Sequence, residues 1–403
     1  MRLQQVVWPD FYPAFSCTGT GCSDNCCHDW PVDLDRDTYL SYARLPQPEL
    51  AELSRKMITQ TGGTKEHFAR IRLGSDGRCP FQDPDGGCKL VRGPGPDALG
   101  LICTLYPRRK TEFVPGTWEL SLSMSCEEAV RLGVLTPDRV RFQAAAIAPE
   151  GALAKLQPVG IGPGGAVMAP PEYGQTLRQG ILALMGRRDL PVRLRLLAIT
   201  LLLDRITQES LEKESVLGLI AAFTRIDGKD LTALLSRLSM PREAVLDAWK
   251  IPISHVLAGR SGPLRERLLD VLPEKTTLDR QGAAACLTRI QQRGDPVLEA
   301  HSREVENYFI NHLFSALFPF MGNPGDFFYP AAALAEQYAL LRLLASLSER
   351  PTESGVLTEA IVHLSRLIQH TDHCADLRSL SRQLGLDLRV LRPCFLVPVT
   401  LTE

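Results

Sequence analysis

Cysteine density near the start of the chain limits what this sequence can fold into. The segment FSCTGTGCSDNCCHDW at 15–30 carries four cysteines, two of them adjacent. A disulfide knot, a zinc site and an iron–sulfur cluster are the three structures that need thiols so close together. The 403 residues include 11 cysteines, an odd number that fits full pairing poorly. No apolar run of signal-peptide length opens the chain, so we expect a cytoplasmic protein with reduced, metal-binding thiols.

Eight of the 11 cysteines lie before residue 127, and we predict that they ligate metal. They are Cys17, Cys22, Cys26, Cys27, Cys79, Cys88, Cys103 and Cys126. Their spacing matches neither the paired knuckles of a zinc hairpin nor the C-x3-C-x2-C triad of radical enzymes. Thiolates suit both zinc and iron–sulfur clusters, so the spacing leaves the metal open. Because neighbouring side chains of an extended backbone point to opposite faces, we expect Cys26 and Cys27 to address different partners unless a turn brings them together.

The sequence predicts a mainly α-helical chain in three parts. They are a cysteine-rich metal-binding module at 1–135, a Gly/Pro-rich connector at 136–175 and a helical domain at 176–403. In the first part, helices are expected at 35–58, with Asp35 or Asp37 as N-cap, and at 126–135. Beyond the connector, apolar residues recur every three to four positions, which is typical of packed helices. No convincing set of strands is predicted.

Composition argues against two classes of partner. Hydrophobic residues make up 44% and charged residues 23% of the chain, which is ordinary for a globular protein. The net charge of −1 gives no broad attraction for nucleic acid or an anionic membrane, so neither partner is expected. No segment approaches the roughly 20 apolar residues that span a bilayer.

Two histidine-bearing segments allow more than one interpretation. In the helix expected from His301, the side chains of His301, Glu304, Tyr308 and His312 share one face. That face is either the polar lining of a substrate cleft or, the favoured interpretation, an ordinary amphipathic boundary. The segment HTDHC at 370–374 lacks a second nearby ligand pair and is interpreted as structural.

Five blocks resemble the flagellin lysine N-methylase family. They are FSCTGTGCSDNCCHDWPVDLDRDTY at 15–39, RCPFQDPDGGCKL at 78–90, LICTLYPRR at 101–109, WELSLSMSCEEAVRL at 118–132 and ENYFINHLFSALFPF at 306–320. The first four also resemble a wider group of zinc- or iron-chelating cysteine-cluster proteins, and the fifth favours the methylases. Glu127 departs from the family pattern, which often has proline there.

The resemblance implies a bacterial cytoplasmic enzyme that transfers methyl groups from S-adenosylmethionine to lysine side chains of flagellin. It also implies a 4Fe–4S cluster on the N-terminal cysteines, with an additional zinc or a second cluster left open. Tyr106, Tyr308 and Glu306 are then candidate catalytic residues, since a methyltransferase must position a neutral lysine amine. Arg108 and Arg109 are candidates to pair the methionine carboxylate of the donor, or to compensate cluster charge.

A glycine-rich segment, VGIGPGG at 159–165, superficially matches the cofactor turn of Rossmann-like methyltransferases. Pro158 before it and Pro170 after it deny the flanking strand and helix, so we interpret it as a linker. The rival hypothesis is a non-enzymatic zinc- or iron-chelating or redox-sensing protein with a helical interaction domain.

Overall fold

The structure is a computed structural model that describes most of the chain. The described residues are 3–28, 30, 32–65, 67–148, 154, 156–162, 165–208, 212–237, 240–259, 262–273, 278–320, 326–369 and 372–396. Over these residues the chain is mainly helical, which confirms the predicted class. Within them, no helix is both long enough and apolar enough to cross a bilayer.

Among the described residues, the first third of the chain contains five α-helices. They are α1 (Arg36–Tyr42), α2 (Pro48–Met57), α3 (Lys89–Arg92), α4 (Leu101–Leu105) and α5 (Glu127–Gly133). Asp35 is the N-cap of α1, because its carboxylate accepts a hydrogen bond of 2.9 Å from the Thr38 backbone N–H. The single helix expected over 35–58 is divided, since Pro46 and Pro48 interrupt the helical hydrogen bonds between α1 and α2.

From Gly174 onward the described chain is helical, as the apolar periodicity predicts. Its elements are α6 (Gly174–Met185), α7 (Val192–Gln208), α8 (Lys213–Thr224), α9 (Gly228–Arg237), α10 (Arg242–Ala258), α11 (Pro263–Val271), α12 (Arg280–Arg289), α13 (Asp295–Ala300), α14 (Ser302–Ser315), α15 (Phe328–Leu347), α16 (Glu353–Ile368), α17 (His373–Gln383) and α18 (Leu388–Leu391). A π-helical turn, Ile290–Gly294, joins α12 to α13.

The prediction that strands are absent is wrong. The strands are β1 (Gln4–Pro9), β2 (Val32–Leu34), β3 (Ile58–Gln60), β4 (Ala69–Ile71), β5 (Arg108–Glu112), β6 (Thr117–Leu122) and β7 (Phe142–Ile147). One sheet has the order β5-β6-β1-β7, with β1 parallel to β6, and the other has the order β2-β4-β3. Strands of three to six residues with distant partners leave little periodic signal in the sequence.

Two hydrophobic clusters stabilise these elements. A small cluster gathers the apolar residues of β2, β4 and their neighbours, including Tyr42 and Phe81, with Cys79, Cys88 and Cys103 packed against it. The large cluster runs through the helical part and extends to the four-stranded sheet through Leu122 and other residues. The cysteine-bearing loops therefore lie against both clusters, because Cys126 packs on the large one.

A buried ion pair fastens β6 to the helices. Arg178 of α6 donates to both carboxylate oxygens of Glu119, over 2.6 and 2.8 Å, and to the Phe314 carbonyl over 3.1 Å. Asn311 of α14 donates to the Gly133 carbonyl over 2.9 Å. Asn307 donates to the Asp138 carbonyl, which follows α5, over 3.0 Å. These contacts set the sheet and α5 at a fixed position against α14.

Candidate functional site

The structure brings seven of the eight N-terminal cysteines into two neighbouring groups. Burial, together with the nearby thiols of Cys26, Cys79 and Cys88, raises the pKa of Cys103 to about 12. We call these four residues the Cys103 group. Burial likewise raises the pKa of Cys126 to about 12, with smaller contributions from Cys22 and Cys26.

The second group, the Cys126 group, consists of Cys17, Cys22 and Cys126. Cys17 and Cys22 are neighbours, since the raised pKa of Cys22, of which burial is the largest cause, includes a contribution from the charge of Cys17. Cys26 is close to both groups, and a hydrogen bond with Cys27 is the largest cause of its raised pKa. All 11 cysteines are free thiols. Cys26, a member of the Cys103 group, is therefore also the neighbour of the Cys126 group, and Cys27 adjoins Cys26 through their hydrogen bond.

The donor set fits a metal or an iron–sulfur cluster. Buried thiols with raised pKa values ionise only when a positive charge compensates them, and a metal supplies that charge. Two thiolates on one tetrahedral zinc lie about 3.8 Å apart, given a Zn–S bond of about 2.3 Å, whereas the ligands of a 4Fe–4S cluster are spread over four irons. Among the described residues, no three cysteine sulfurs lie within 4.8 Å of one another.

The cysteine loop is docked on α16 and α5 by charge. Asp24 accepts a hydrogen bond of 2.6 Å from Arg366 and lies 2.7 Å from the His28 ring. These partners outweigh desolvation and lower the pKa of the Asp24 carboxyl to about 2. Glu127, where the family often has proline, accepts from the Ser23 backbone N–H over 2.8 Å. Glu127 therefore supplies a second contact that holds the cysteine loop on α5.

A polar face of β6 lies next to this cysteine region. Ser121, Ser123 and Ser125 alternate with apolar residues along β6 and its continuation, and all three are buried. Arg109 of β5 lies directly opposite Ser121 in the antiparallel pair, so both side chains project from the same face. Burial lowers the pKa of the Arg109 guanidinium. Within the described part of the chain, the side chain of Arg109 has no ion pair and no hydrogen bond.

Two helices complete a ring around Arg109. Tyr308 and His312 of α14 lie one turn apart, with ring centroids separated by 6.3 Å. Arg109 is near enough to His312 to contribute to its lowered pKa of about 3, of which burial is the main cause. The Ser365 hydroxyl of α16 lies near the Tyr308 hydroxyl, whose pKa is raised by burial and lowered again by Ser365.

Gln369 at the end of α16 closes the ring. It accepts a hydrogen bond of 2.6 Å from the Ser123 hydroxyl. Ser123 follows Ser121 by two residues, so the two serines share one face of the extended chain. Ser365 lies one helical turn before Gln369, so these two residues are neighbours on α16. The contacts therefore lead from Tyr308 through Ser365 and Gln369 back to the serine face of β6. We call this set the polar ring. It consists of Arg109, Ser121, Tyr308, His312, Ser365 and Gln369.

The polar ring concentrates unsatisfied polar atoms. Of the ten buried side-chain atoms without a hydrogen-bond partner among the described residues, five belong to the ring. They are Ser121 Oγ, Tyr308 OH, His312 Nδ1, Ser365 Oγ and Gln369 Nε2. Native proteins leave few buried polar atoms unpaired, and each such atom costs about 1–3 kcal/mol. Five around one unpaired guanidinium indicate a site built to receive a polar, anionic ligand.

A hydrogen-bonded chain connects the polar ring to the cysteines. The Tyr106 hydroxyl lies 2.9 Å from Ser125 Oγ, which lies 2.6 Å from Ser123 Oγ, the partner of Gln369. Burial raises the pKa of Tyr106, and Cys126 and Cys26 are among its charged neighbours. Tyr106 is thus placed between the thiol groups and the ring.

The other residues singled out from the sequence lie outside the ring. Arg108 projects to the opposite face, where it donates to the Phe15 carbonyl over 3.3 Å and covers the Phe15 ring. Glu306 is buried and accepts hydrogen bonds of 2.6 Å from Arg195 and 3.2 Å from Arg188, an arrangement that favours a structural role. His301 pairs with Glu304 and Glu353. Of the predicted helix face, only Tyr308 and His312 therefore reach the polar ring.

Two further segments can be placed only in part. In the glycine-rich segment, Val159 pairs with the edge of β5, while residues 163–164 lie outside the described residues. In HTDHC, residues 370–371 lie outside them as well. A surface cleft of about 920 Å³, lined by residues that include Asp204, Tyr329 and Arg392, contains none of the ring residues.

Comparison with known proteins identifies relatives of this chain. The family model of the FliB lysine N-methylase C-terminal domain matches residues 178–380. The flagellar biosynthetic protein FliU of Salmonella muenchen is 31% identical over 139 residues, which are 34% of this chain and 82% of FliU. The lysine-N-methylase of Salmonella typhimurium is 30% identical over 139 residues, and the match spans 34% of each protein. No solved structure matches.

These matches place the protein in the class of protein-lysine N-methyltransferases. The chain belongs to the FliB lysine N-methylase family. The resemblance inferred from the five sequence blocks is thereby confirmed. The family model covers Tyr308, His312, Ser365 and Gln369 of the polar ring, while Arg109 and Ser121 precede it.

Proposed function

We propose that this protein methylates lysine side chains of flagellin, with S-adenosylmethionine as the methyl donor bound at the polar ring. The observation that carries the proposal is the unpaired Arg109 guanidinium surrounded by five unsatisfied polar atoms. Membership of a lysine N-methylase family and similarity to a flagellar biosynthetic protein support the reaction and the substrate.

Arg109 is suited to the carboxylate of the donor's methionine part. A guanidinium offers two parallel N–H donors that match a carboxylate, and such a pair is strongest where water is excluded. The ring hydroxyls and the Gln369 amide have free hydrogen-bonding capacity for the remaining polar groups of the donor. When bound, the donor supplies a methyl group on a positively charged sulfur.

The ring also favours the neutral form of the lysine amine. Arg109 carries a positive charge, no carboxylate of the described residues lies in the ring, and burial disfavours a second cation there. An ammonium therefore releases its proton to solvent before it enters. The amine lone pair then forms the N–C bond as the C–S bond breaks and its electron pair passes to sulfur. The Tyr308 hydroxyl, which lies near Ser365, has hydrogen-bonding capacity for the amine nitrogen.

For the thiols, we propose that the Cys103 group holds a 4Fe–4S cluster. Four mutually neighbouring cysteines meet the ligand requirement of such a cluster. This assignment leaves the Cys126 group and Cys27 for an additional zinc, which takes four ligands. The hydrogen bonds from Tyr106 through Ser125 to Ser123 then connect the thiol groups to the polar ring.

The decisive experiment is methylation of flagellin by anaerobically purified protein. S-adenosylmethionine is added, and the intact mass of flagellin is followed with time. We expect mass steps of one methyl group from the wild-type protein and a much slower series from Arg109→Met with unchanged iron content. If no step appears while the iron is demonstrably present, methylation of flagellin is refuted and the non-enzymatic metal-binding hypothesis gains support.

A further inference from the structure

A second cluster of metal-ligating side chains lies in the helical part of the chain. His255 of α10, Glu336 of α15 and His373 of α17 meet where these three helices pack together. Glu336 Oε1 lies 3.1 Å from His255 Nδ1, and Glu336 Oε2 lies 2.8 Å from His373 Nε2. All three side chains are buried, and Glu336 is 0% exposed. The three residues are far apart in sequence, so only the fold brings them together.

The negative charge of the Glu336 carboxylate needs compensation within this cluster. Among the described residues, the two imidazoles are the only ion-pair partners of Glu336, and neither carries a charge unless it is protonated. A fully buried carboxylate needs compensation, which comes from a proton on one imidazole or from a bound metal ion. A divalent cation between neutral imidazoles and a carboxylate is the familiar metal-binding alternative.

The spacing of the ligand atoms suits a single metal ion. Ligands at about 2.0–2.1 Å from a tetrahedral zinc lie about 3.3 Å from one another. The two Glu336–His distances, 3.1 and 2.8 Å, are within about half an ångström of this length, and one ligand atom from each residue lies within 4.8 Å of the others. The imidazole rings are 5.3 Å apart between centroids and tilted by 53°, so they do not stack against each other.

A supporting residue stands behind His373. The Gln337 side-chain amide lies 3.3 Å from His373 Nδ1, and Gln337 Oε1 is a buried atom without a hydrogen-bond partner among the described residues. The oxygen and nitrogen of an amide are interchangeable by a flip. After such a flip, Gln337 Oε1 accepts a hydrogen bond from His373 Nδ1–H. His373 Nε2 is then left to bind a metal ion. Metal-binding histidines are commonly oriented by a hydrogen bond of this kind.

We propose that His255, Glu336 and His373 bind a divalent transition-metal ion of the zinc type, with Gln337 orienting His373. Two imidazoles and one carboxylate leave a fourth coordination position for water or another ligand. This ligand set is harder than the thiol groups and separate from them. His373 is also close enough to His312 to affect its pKa, so the metal lies beside the polar ring.

Cobalt titration of the full-length protein tests the proposal, because Co²⁺ replaces zinc and reports its ligands by absorption. We compare the wild type with Glu336→Gln, His373→Gln and the control His301→Gln, whose imidazole also pairs with glutamates but lies near the surface. We expect wild type and control to bind one more equivalent than the two cluster variants. That equivalent gives visible d–d bands without a sulfur-to-cobalt charge-transfer band.

Two additional variants keep the test decisive if a buried substitution prevents folding. His255→Asn alters the most exposed ligand, and Gln337→Leu removes only the orienting group, which is expected to weaken cobalt binding roughly 10- to 100-fold. Thermal unfolding with and without Zn²⁺ supplies an independent readout, since a metal that binds only the folded state raises the melting temperature. Equal stoichiometry and equal zinc stabilisation in all folded variants overturn the proposal. A sulfur charge-transfer band on the extra equivalent overturns it as well.

Discussion

Replacing Arg109 by methionine is expected to stabilise the free protein while it weakens donor binding. Arg109 and Arg108 are neighbours in β5, but their side chains occupy opposite faces of the strand. Arg108 has the Phe15 carbonyl and ring as partners, whereas Arg109 has no partner among the described residues. Arg108→Met is therefore a matched control that removes the same charge from the same strand.

The magnitudes follow from these contacts. A buried, unpaired ion costs several kcal/mol, and because Arg109 is partly exposed we expect Arg109→Met to raise the free energy of unfolding by about 1 kcal/mol. Arg108→Met loses one hydrogen bond and one cation–π contact, so it should lower that free energy by about 1–2 kcal/mol. Loss of a charge-assisted pair, about 1.5–3 kcal/mol, should weaken S-adenosylmethionine binding by Arg109→Met about 10- to 150-fold.

Urea unfolding and isothermal titration with S-adenosylmethionine measure the two quantities on the same preparations. Protein with unchanged iron content is used, so that the thiol groups do not contribute to the difference. The reasoning fails if Arg109→Met is destabilised as much as Arg108→Met, because Arg109 would then have a structural partner. It also fails if both variants bind the donor as tightly as the wild type.

Three further substitutions test other parts of the structure. Arg178→Met leaves the buried Glu119 carboxylate unpaired and should lower the free energy of unfolding, measured in urea, by about 3–5 kcal/mol. Adding Glu119→Leu should restore most of this loss. A loss below about 1 kcal/mol in Arg178→Met contradicts the reasoning. The His312 pKa of about 3 lies below its ordinary value, so as pH falls the unfolded state takes up the proton first. Stability should fall by about 2 kcal/mol between about pH 6.5 and about pH 5, and an unchanged slope in His312→Gln would exclude His312 as the cause. Cys103→Ser should lose iron, acid-labile sulfide and brown colour, whereas the exposed Cys17→Ser should keep them; equal iron in both variants contradicts the ligand assignment.

The helical part of the fold is predictable from the sequence because its information is local. Apolar residues at helical spacing identify α14 to within a residue of its start, and Asp35 identifies the start of α1. The sheet is not predictable in this way, since Gln5 of β1 pairs with Thr117 of β6. That pairing depends on long-range packing rather than on local preference.

The candidate site was predictable only in part. Arg109 and Tyr308 are named from the sequence, but nothing in it indicates that they share a ring with Gln369. One signal was available: the alternation of serine and apolar residues in ELSLSMS at 119–125 predicts a strand with a buried polar face. Glu306, only two positions from Tyr308, points to the other side of α14 because successive helical residues turn by about 100°.

The chain of hydroxyls between Tyr106 and Gln369 has a polarity. Ser123 has a single proton, which it donates to Gln369 Oε1, so Ser125 must donate to Ser123 and Tyr106 to Ser125. In this orientation Gln369 presents N–H donors to the ring. Reversing every bond requires the Gln369 amide to turn and to present an oxygen acceptor instead. The direction in which the Tyr106 hydroxyl points, toward Ser125 or away from it, therefore decides whether the ring offers its ligand a donor or an acceptor at that position.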